Sequence, residues 1–415
     1  MNARQYISLL DGVEGSREKL LRDQQLRDHV DDVQEVANLL KASFVAKDDL
    51  IEMLVTCAVA QEHLLIVGPP GTGKSELARR FALLCSVPQG PTHDGQLSFF
   101  EYLLTRFTEP NEIFGPVDLK TFQIGGGHRR ITEGMLPRAE IAFLDEIFKA
   151  NSAILNSLLT ILNERIFFNG GRSEKVPLLC AVGATNEVPD DPALSAMYDR
   201  FLLRVWSDNV EEERFDELFQ RGWSIERNRI REGYKLTLGN VTTTGALREL
   251  YRTLDEVNLD SIARDFREIV RRIRAEGVEL SDRRVIKLLK LVAASALRRK
   301  SFDAHTGDFW VLKHVWNNPD QIPHLQTIVE PYLSGHAEVQ WSAERELAII
   351  EGQIVVLAER QTVLRLDADY ADFLQESERL RRELMRHSDT IGAKPLLGRL
   401  AGLIDSVMTR LEAQE

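Results

Sequence analysis

Apolar residues along this chain follow two rhythms. In the first half, short unbroken runs such as "HLLIVG" (63–68), "IAFLDE" (141–146) and "LLCAVGATN" (178–186) stand between stretches where apolar residues return every three or four positions. A run that is apolar at every position suits a strand buried on both faces. The helical stretches between the runs would cover those faces, so a parallel sheet flanked by helices is predicted. Around Trp206 the runs stop. From Glu211 to about Gln321 every segment keeps the helical rhythm, including "DSIARDFREIVRRIRAEG" and "SDRRVIKLLKLVAASALRR", and Pro319 and Pro323 bracket an expected boundary. Three further stripes follow: Leu347, Ile350, Ile354, Leu357 and Leu364, with Gln361 filling one gap; Tyr370, Leu374, Leu380 and Leu384; and, after the "GAKP" break, Leu397, Leu400, Ile404, Val407 and Leu411. Each stripe makes one helix face that must be buried. An antiparallel bundle closing on itself is expected, with a docking platform as the alternative. The predicted class is α/β followed by all-α: a helical extension over 1–40, an α/β/α subdomain over 41–208, an all-α subdomain over 209–320 and a helical domain over 321–415.

Composition narrows the picture. At 415 residues the chain exceeds what one compact core holds. Its hydrophobic share of 43% and charged share of 28% are those of a soluble globular protein. The net charge of −12, without a Lys/Arg-rich tail, argues against constitutive nucleic-acid binding. Cys57, Cys85 and Cys180 stand alone in apolar surroundings, which fits buried thiols in a reducing compartment. No window approaches a membrane span and the first residues lack the apolar core of a signal peptide, so a cytoplasmic location is expected.

The chemistry concentrates where the apolar runs end. "LLIVGPPGTGKSELARR" fits G-x-x-x-x-G-K-[ST] at Gly68, Gly73, Lys74 and Ser75, between an expected strand and an expected helix. In such a loop, Gly68, Pro69, Pro70, Gly71, Thr72 and Gly73 wrap backbone N–H groups around phosphate oxygens, and the helix start through Lys74, Ser75 and Glu76 adds positive potential. Lys74 would reach the β- and γ-phosphates of ATP, and the Ser75 hydroxyl would ligate Mg2+. Asp145, at the tip of "IAFLDE", would hold the same metal, and Glu146 would polarise an attacking water. Asn186, in "GATNEVP", would bond the γ-phosphate or orient that water; by itself it is an ordinary turn residue.

These motifs, in this order, resemble the AAA+ ATPases. More narrowly, "GMLPRAEIAFLDEI", "ILNSLLTILNERIFFNG" and "ALSAMYDRFLLRVW" are similar to the MoxR group and look closest to its RavA subfamily, over about Leu50 to Gly335. The β-rich insertion of RavA has no counterpart among the C-terminal stripes. The resemblance implies an AAA+ module with a helical lid, followed by the C-terminal helical bundle. It also implies Arg200, in "YDRF", as an arginine finger reaching a neighbouring subunit, with Arg204 as fallback, and a surface pair with Asp199 as the plainer reading. Arg283, in "LSDRR", would be a lid sensor facing the nucleotide of its own subunit, with Arg284 adjacent and Ser281 capping the helix. "VDLKTFQIGGGHRRITEGMLP", with Gly125, Gly126 and Gly127 at its tip, would be a hairpin inserted in a helix. "ERIFFNGGRSEKVP" reads as a second hairpin turning at Asn-Gly. Arg106 stands where many relatives carry a polar residue restraining the catalytic glutamate; an Arg106–Glu146 latch and a purely structural Arg106 are both open.

The resemblance implies a ring, expected as a hexamer, that uses ATP and Mg2+ to remodel or activate a partner protein, with a von Willebrand factor A (vWA) domain protein as the expected partner. A nucleic-acid motor is the alternative that His128, Arg129 and Arg130 would suit. An ATP-gated scaffold with little turnover conflicts with the intact Asp145, Glu146 and Asn186 set.

Overall fold

A computed structural model of the chain describes residues 24–85, 99–120, 129–189, 191, 194–232, 241–333, 347, 350–358, 360–361, 367–386 and 393–412. The first hairpin's expected tip, Gly125 to His128, lies outside them, as do Leu364 and the first 23 residues of the expected helical extension. The chain divides into two compact units, one of residues 1–36, 49–211 and 234–335 and one of 37–48, 212–233 and 336–415.

The first unit is built on a parallel sheet. Helix α1 (Gln24–Ser43), which starts in the first unit and ends in the second, and α2 (Asp48–Ala60) precede β1 (Leu64–Val67), which runs into α3 (Lys74–Leu84). Then come β2 (Phe99–Leu103), β3 (Ile141–Asp145), α4 (Ser152–Glu164), the hairpin β4 (Ile166–Asn169) and β5 (Arg172–Lys175), β6 (Cys180–Thr185) and β7 (Leu203–Trp206). The sheet has five strands in the order β2-β3-β6-β1-β7, every neighbouring pair parallel. The three predicted runs are its three central strands. β1 and β6 are buried throughout and β3 at every residue but Asp145, because helices cover both faces. Gly183 in β6 faces the Phe201 ring so closely that a Cβ would meet it at 2.8 Å. Cys57, Cys85 and Cys180 are all free and buried.

Of the helices beyond the sheet, α5 (Phe215–Glu232) falls in the second unit. The first unit holds α6 (Thr244–Thr253), α7 (Ala263–Ala275), α8 (Asp282–Arg298), a 3-10 stretch (Thr306–His314) and α9 (Ile322–Leu333). Pro319 and Pro323 do not divide the chain. Pro319 opens a short 3-10 turn and Pro323 sits in the first turn of α9, where a missing N–H costs nothing; the first unit extends through both to Gly335. In the second unit, α10 (Asp367–Arg386) and α11 (Ala393–Glu412) share a core with Leu347, Ile350, Ile354 and Leu357. Its buried line on α10 runs through Tyr370, Phe373, Leu380 and Leu384, and on α11 through Ala393, Leu396, Leu400 and Val407. Leu374, Leu397 and Ile404, named from the stripes, sit at its edge. Among the described residues no helix is long and apolar enough to cross a membrane.

Candidate nucleotide site

Parallel strands all end on one side, and the site lies where β3, β6 and β1 end next to one another. After Val67 the chain is pinched between its neighbours: the Gly68 N–H donates to Thr185 O (3.1 Å), and the Ser207 N–H donates to Val67 O (2.8 Å). A Cβ on Gly68 would meet Ser207 O at 2.1 Å, so only glycine fits there. Gly73, with φ near +80°, turns the loop into α3 through the left-handed region. No side chain caps α3. Its first-turn N–H groups, which have no intrahelical acceptor, therefore face the loop opening, as an anion cradle requires. Lys74 folds back, its Nζ donating to Gly68 O (2.6 Å) and Pro69 O (2.9 Å). Burial pulls its pKa down, while Asp145 and Glu146 pull it up. Thr72 donates to Pro69 O (3.2 Å) and steadies the loop. Glu76 spends its carboxylate on Arg79 and Arg80, leaving its backbone to the cradle.

Asp145 ends β3 beside the loop. Burial raises its pKa, partly offset by the Glu146 N–H that it accepts at 3.0 Å. Glu146 then adopts a left-handed backbone (φ 51°) that turns its side chain sharply off the strand. Its Oε1 accepts from Asn186 Nδ2 at 2.5 Å and lies 3.1 Å from Lys149 Nζ. The structure thus joins Glu146 to Asn186 across two adjacent strand ends. Lys149 was not foreseen, although the i,i+3 spacing in "EIFK" signals it. Arg106 is exposed and makes no hydrogen bond or ion pair among the described residues, so neither expected role for it is realised here. The turn it sits in is closed by Thr105 and Thr108, and Asn151 donates to Thr108 O. The loop, the lysine, Asp145 and the Ser75 hydroxyl suit a nucleotide with one Mg2+. That ion takes few protein ligands and fills its shell with water and phosphate oxygens.

The arginines divide differently from the expectation. Arg200 is half-buried and makes no ion pair among the described residues; its Nε has no partner. Asp199 faces Arg204 instead, at 3.9 Å. Arg204 cannot serve as a finger. It is fully buried, donates to Trp316 O (2.5 Å), Asn317 Oδ1 (2.8 Å) and Tyr198 O (3.2 Å), and burial lowers its pKa to about 9. Ser281 caps α8 as expected, accepting from the Arg284 N–H at 3.3 Å. Arg283, however, does not face the nucleotide loop of its own chain. It donates to Asn163 Oδ1 (3.4 Å) near the end of α4, and one turn on Lys287 pairs with Glu62 (2.6 Å), just before β1 begins. The start of α8 therefore lies at the opposite end of β1 from Gly68. Arg284 is buried on the carbonyls of Glu279 and Val315 and on Asn317 Oδ1.

Both hairpins have described arms. Val117 pairs with Arg130, and β4 pairs with β5. The second turn is Gly170-Gly171, both at positive φ, rather than Asn-Gly. Asn169 instead points inward and grips the first hairpin, accepting from Arg130 N (2.6 Å) and donating to Arg130 O (3.1 Å).

Comparison with known proteins agrees with this geometry. A family model described as the MoxR domain in the MoxR-vWA-beta-propeller ternary systems matches residues 31–245. Two uncharacterized proteins of Methanocaldococcus jannaschii are 35% and 33% identical, covering 70% and 74% of this chain and 72% and 76% of their own. Chaperone MoxR1 of Mycobacterium tuberculosis is 28% identical over 42% of this chain and 44% of its own. The crystal structure of a candidate ATPase from Cytophaga hutchinsonii superposes with a TM-score of 0.57 at 16% identity, covering 75% of this chain and 96% of that one. With that family model matching more than half its length, the chain belongs to the MoxR group of AAA+ ATPases.

Proposed function

We propose that the protein hydrolyses ATP with Mg2+ in a ring of identical subunits and uses the energy to remodel or activate a partner protein. The observation that carries the reading is the convergence of Lys74, Asp145, Glu146 and Asn186 at the shared end of β1, β3 and β6, with Asn186 bonded to Glu146. When ATP binds, Lys74 exchanges two loop carbonyls for β- and γ-phosphate oxygens. Ser75 and Asp145 would hold a Mg2+ ion, whose charge would offset that developing on the phosphates. Asn186 holds the Glu146 carboxylate in place through Oε1; Oε2, which accepts nothing among the described residues, is left to take a proton from the attacking water.

Arg200, which has no ion-pair partner among the described residues, acts on the neighbouring subunit's nucleotide. A hexamer is the assembly this reading favours. The partner is a vWA domain protein, a reading supported by the family model's description. The test is nucleotide binding and turnover in Lys74→Ala: affinity for a fluorescent ATP analogue should be lost and hydrolysis should vanish. Unchanged affinity would remove the loop from the mechanism. For the partner, a Glu146→Gln form held in the ATP state should retain a vWA protein that wild type releases on turnover; equal retention without ATP would refute nucleotide-driven remodelling.

A further inference from the structure

Two residues before Arg200, Tyr198 ties its turn to distant parts of the chain. Tyr198 is buried, and its hydroxyl donates to Asn317 O at 2.7 Å. The Arg204 guanidinium stacks on its ring, 3.9 Å from the centroid, and donates to its carbonyl. On another side the ring of Phe148, two residues after Glu146, lies 5.9 Å away. Arg200 follows directly in a tight turn, its N–H donating to Met197 O (3.1 Å), and Phe201 N–H closes the next turn on Tyr198 O (3.2 Å). Asn317 gathers the rest, since its Oδ1 accepts from both Arg204 and Arg284. Two buried guanidinium groups, one ring and one carboxamide thus fix the turn that carries the half-buried Arg200.

Burying Arg204 and Arg284 against carbonyls is costly and does nothing for the nucleotide of the same chain. Such a node makes sense if the turn it holds must present a charge within a fraction of an ångström. We infer that Tyr198, braced by Arg204 and Asn317, is a positioning residue for Arg200 in the neighbouring subunit's site. Through Phe148, the same ring touches the turn that follows Glu146. The placement of Arg200 toward one site is therefore mechanically linked to the catalytic turn of the other. This inference rests on the reading that Arg200 acts in trans.

The test uses the full chain and four variants. Tyr198→Leu removes the ring and hydroxyl; Tyr198→Phe removes only the bond to Asn317 and is the safeguard if the first fails to fold. Misplacing a charged group in a reacting geometry costs about tenfold to a hundredfold in turnover. Tyr198→Leu should show that loss in kcat with unchanged ATP-analogue affinity, and Tyr198→Phe a loss of about threefold, the weight of one ordinary hydrogen bond. Each is then mixed with Glu146→Gln subunits, alongside an Arg200→Ala control. Glu146→Gln subunits carry an intact Arg200 turn, so they should restore activity to neighbours defective only in presenting Arg200. Rescue of both Tyr198 variants in joint assemblies is the expected result. Wild-type kcat in folded Tyr198→Phe and Tyr198→Leu, or rescue of Arg200→Ala without rescue of the Tyr198 variants, overturns the positioning role. Failure to rescue Arg200→Ala overturns the trans reading first, and with it this inference.

Discussion

The two ends of the parallel sheet use their charged and polar side chains in opposite ways. At the end where β1 begins, nearly every bond is taken. His63 accepts from Ala181 N–H through Nδ1 (3.0 Å) and bonds Leu162 O through Nε2 (2.8 Å). Arg165 donates to the carbonyls of Gln61 (3.0 Å), Leu162 (2.8 Å) and Leu179 (3.1 Å). Glu62, only 2% exposed, is held by Lys287 and Lys290. At the end where β1 stops, Lys74 rests on two loop carbonyls that a phosphate can replace, and Glu146 uses one oxygen of two. Saturated charges hold a fold together, whereas charges with bonds to spare can do chemistry.

That contrast can be broken most sharply at Glu146. Glu146→Gln keeps the bond to Asn186 but cannot take a proton, so kcat should fall by about a hundredfold or more. The urea midpoint should stay put. A large loss of stability would mean that Glu146 is structural after all. Arg165→Met is the mirror experiment. It removes the donor from the Gln61 and Leu179 carbonyls, leaving Leu162 O to His63, and should cost about 3 kcal/mol of stability in urea unfolding, while folded protein still binds ATP analogue normally.

Acid should strike the saturated regions first. Burial and nearby cations hold the proton affinity of His63 well below its ordinary value, and burial brings His314 to a pKa of about 4. Below pH about 6.5 the unfolded chain therefore binds more protons than the folded one, and stability falls as pH drops. Each histidine contributes up to about 1.4 kcal/mol per pH unit, and the share of His314 levels off near pH 4. Urea midpoints between pH 7 and 5 check this, and His63→Gln should flatten the slope. The smallest effect belongs to Lys149. Its side chain is 58% exposed, so Lys149→Ala should change stability by less than about 0.5 kcal/mol. A larger loss would place a structural bond at the catalytic end and blur the contrast.

Much of the site was legible in the chain because its parts are local. Gly68 to Ser75 are contiguous, and Asp145 and Asn186 each close an apolar run, so the topology of a parallel sheet is enough to bring them together. The partner of Glu146 was legible only as a possibility. Arg106 had the charge for a latch, yet Lys149 holds that carboxylate because a 3-10 turn places it one short step away. Asn169 was read as a turn residue and proved to be the grip between two hairpins; its side chain points inward because Phe167 and Asn169 share the buried face of β4.

The order of apolar runs and helical stretches determined the α/β class, the strands that count and the phosphate-binding loop, because those depend on periodicities and contacts within a few residues. Tertiary structure alone set Arg200 and Arg204 apart, four residues from each other and alike in sequence. It buried Arg204 among carbonyls from beyond residue 310 and left Arg200 half-buried, without an ion pair among the described residues. It also carried the start of α8, with Arg283, to the opposite end of β1 from the nucleotide loop. The reason is the same in both cases: whether a charge is saturated depends on acceptors brought from far along the chain, and no local pattern records where those acceptors will arrive.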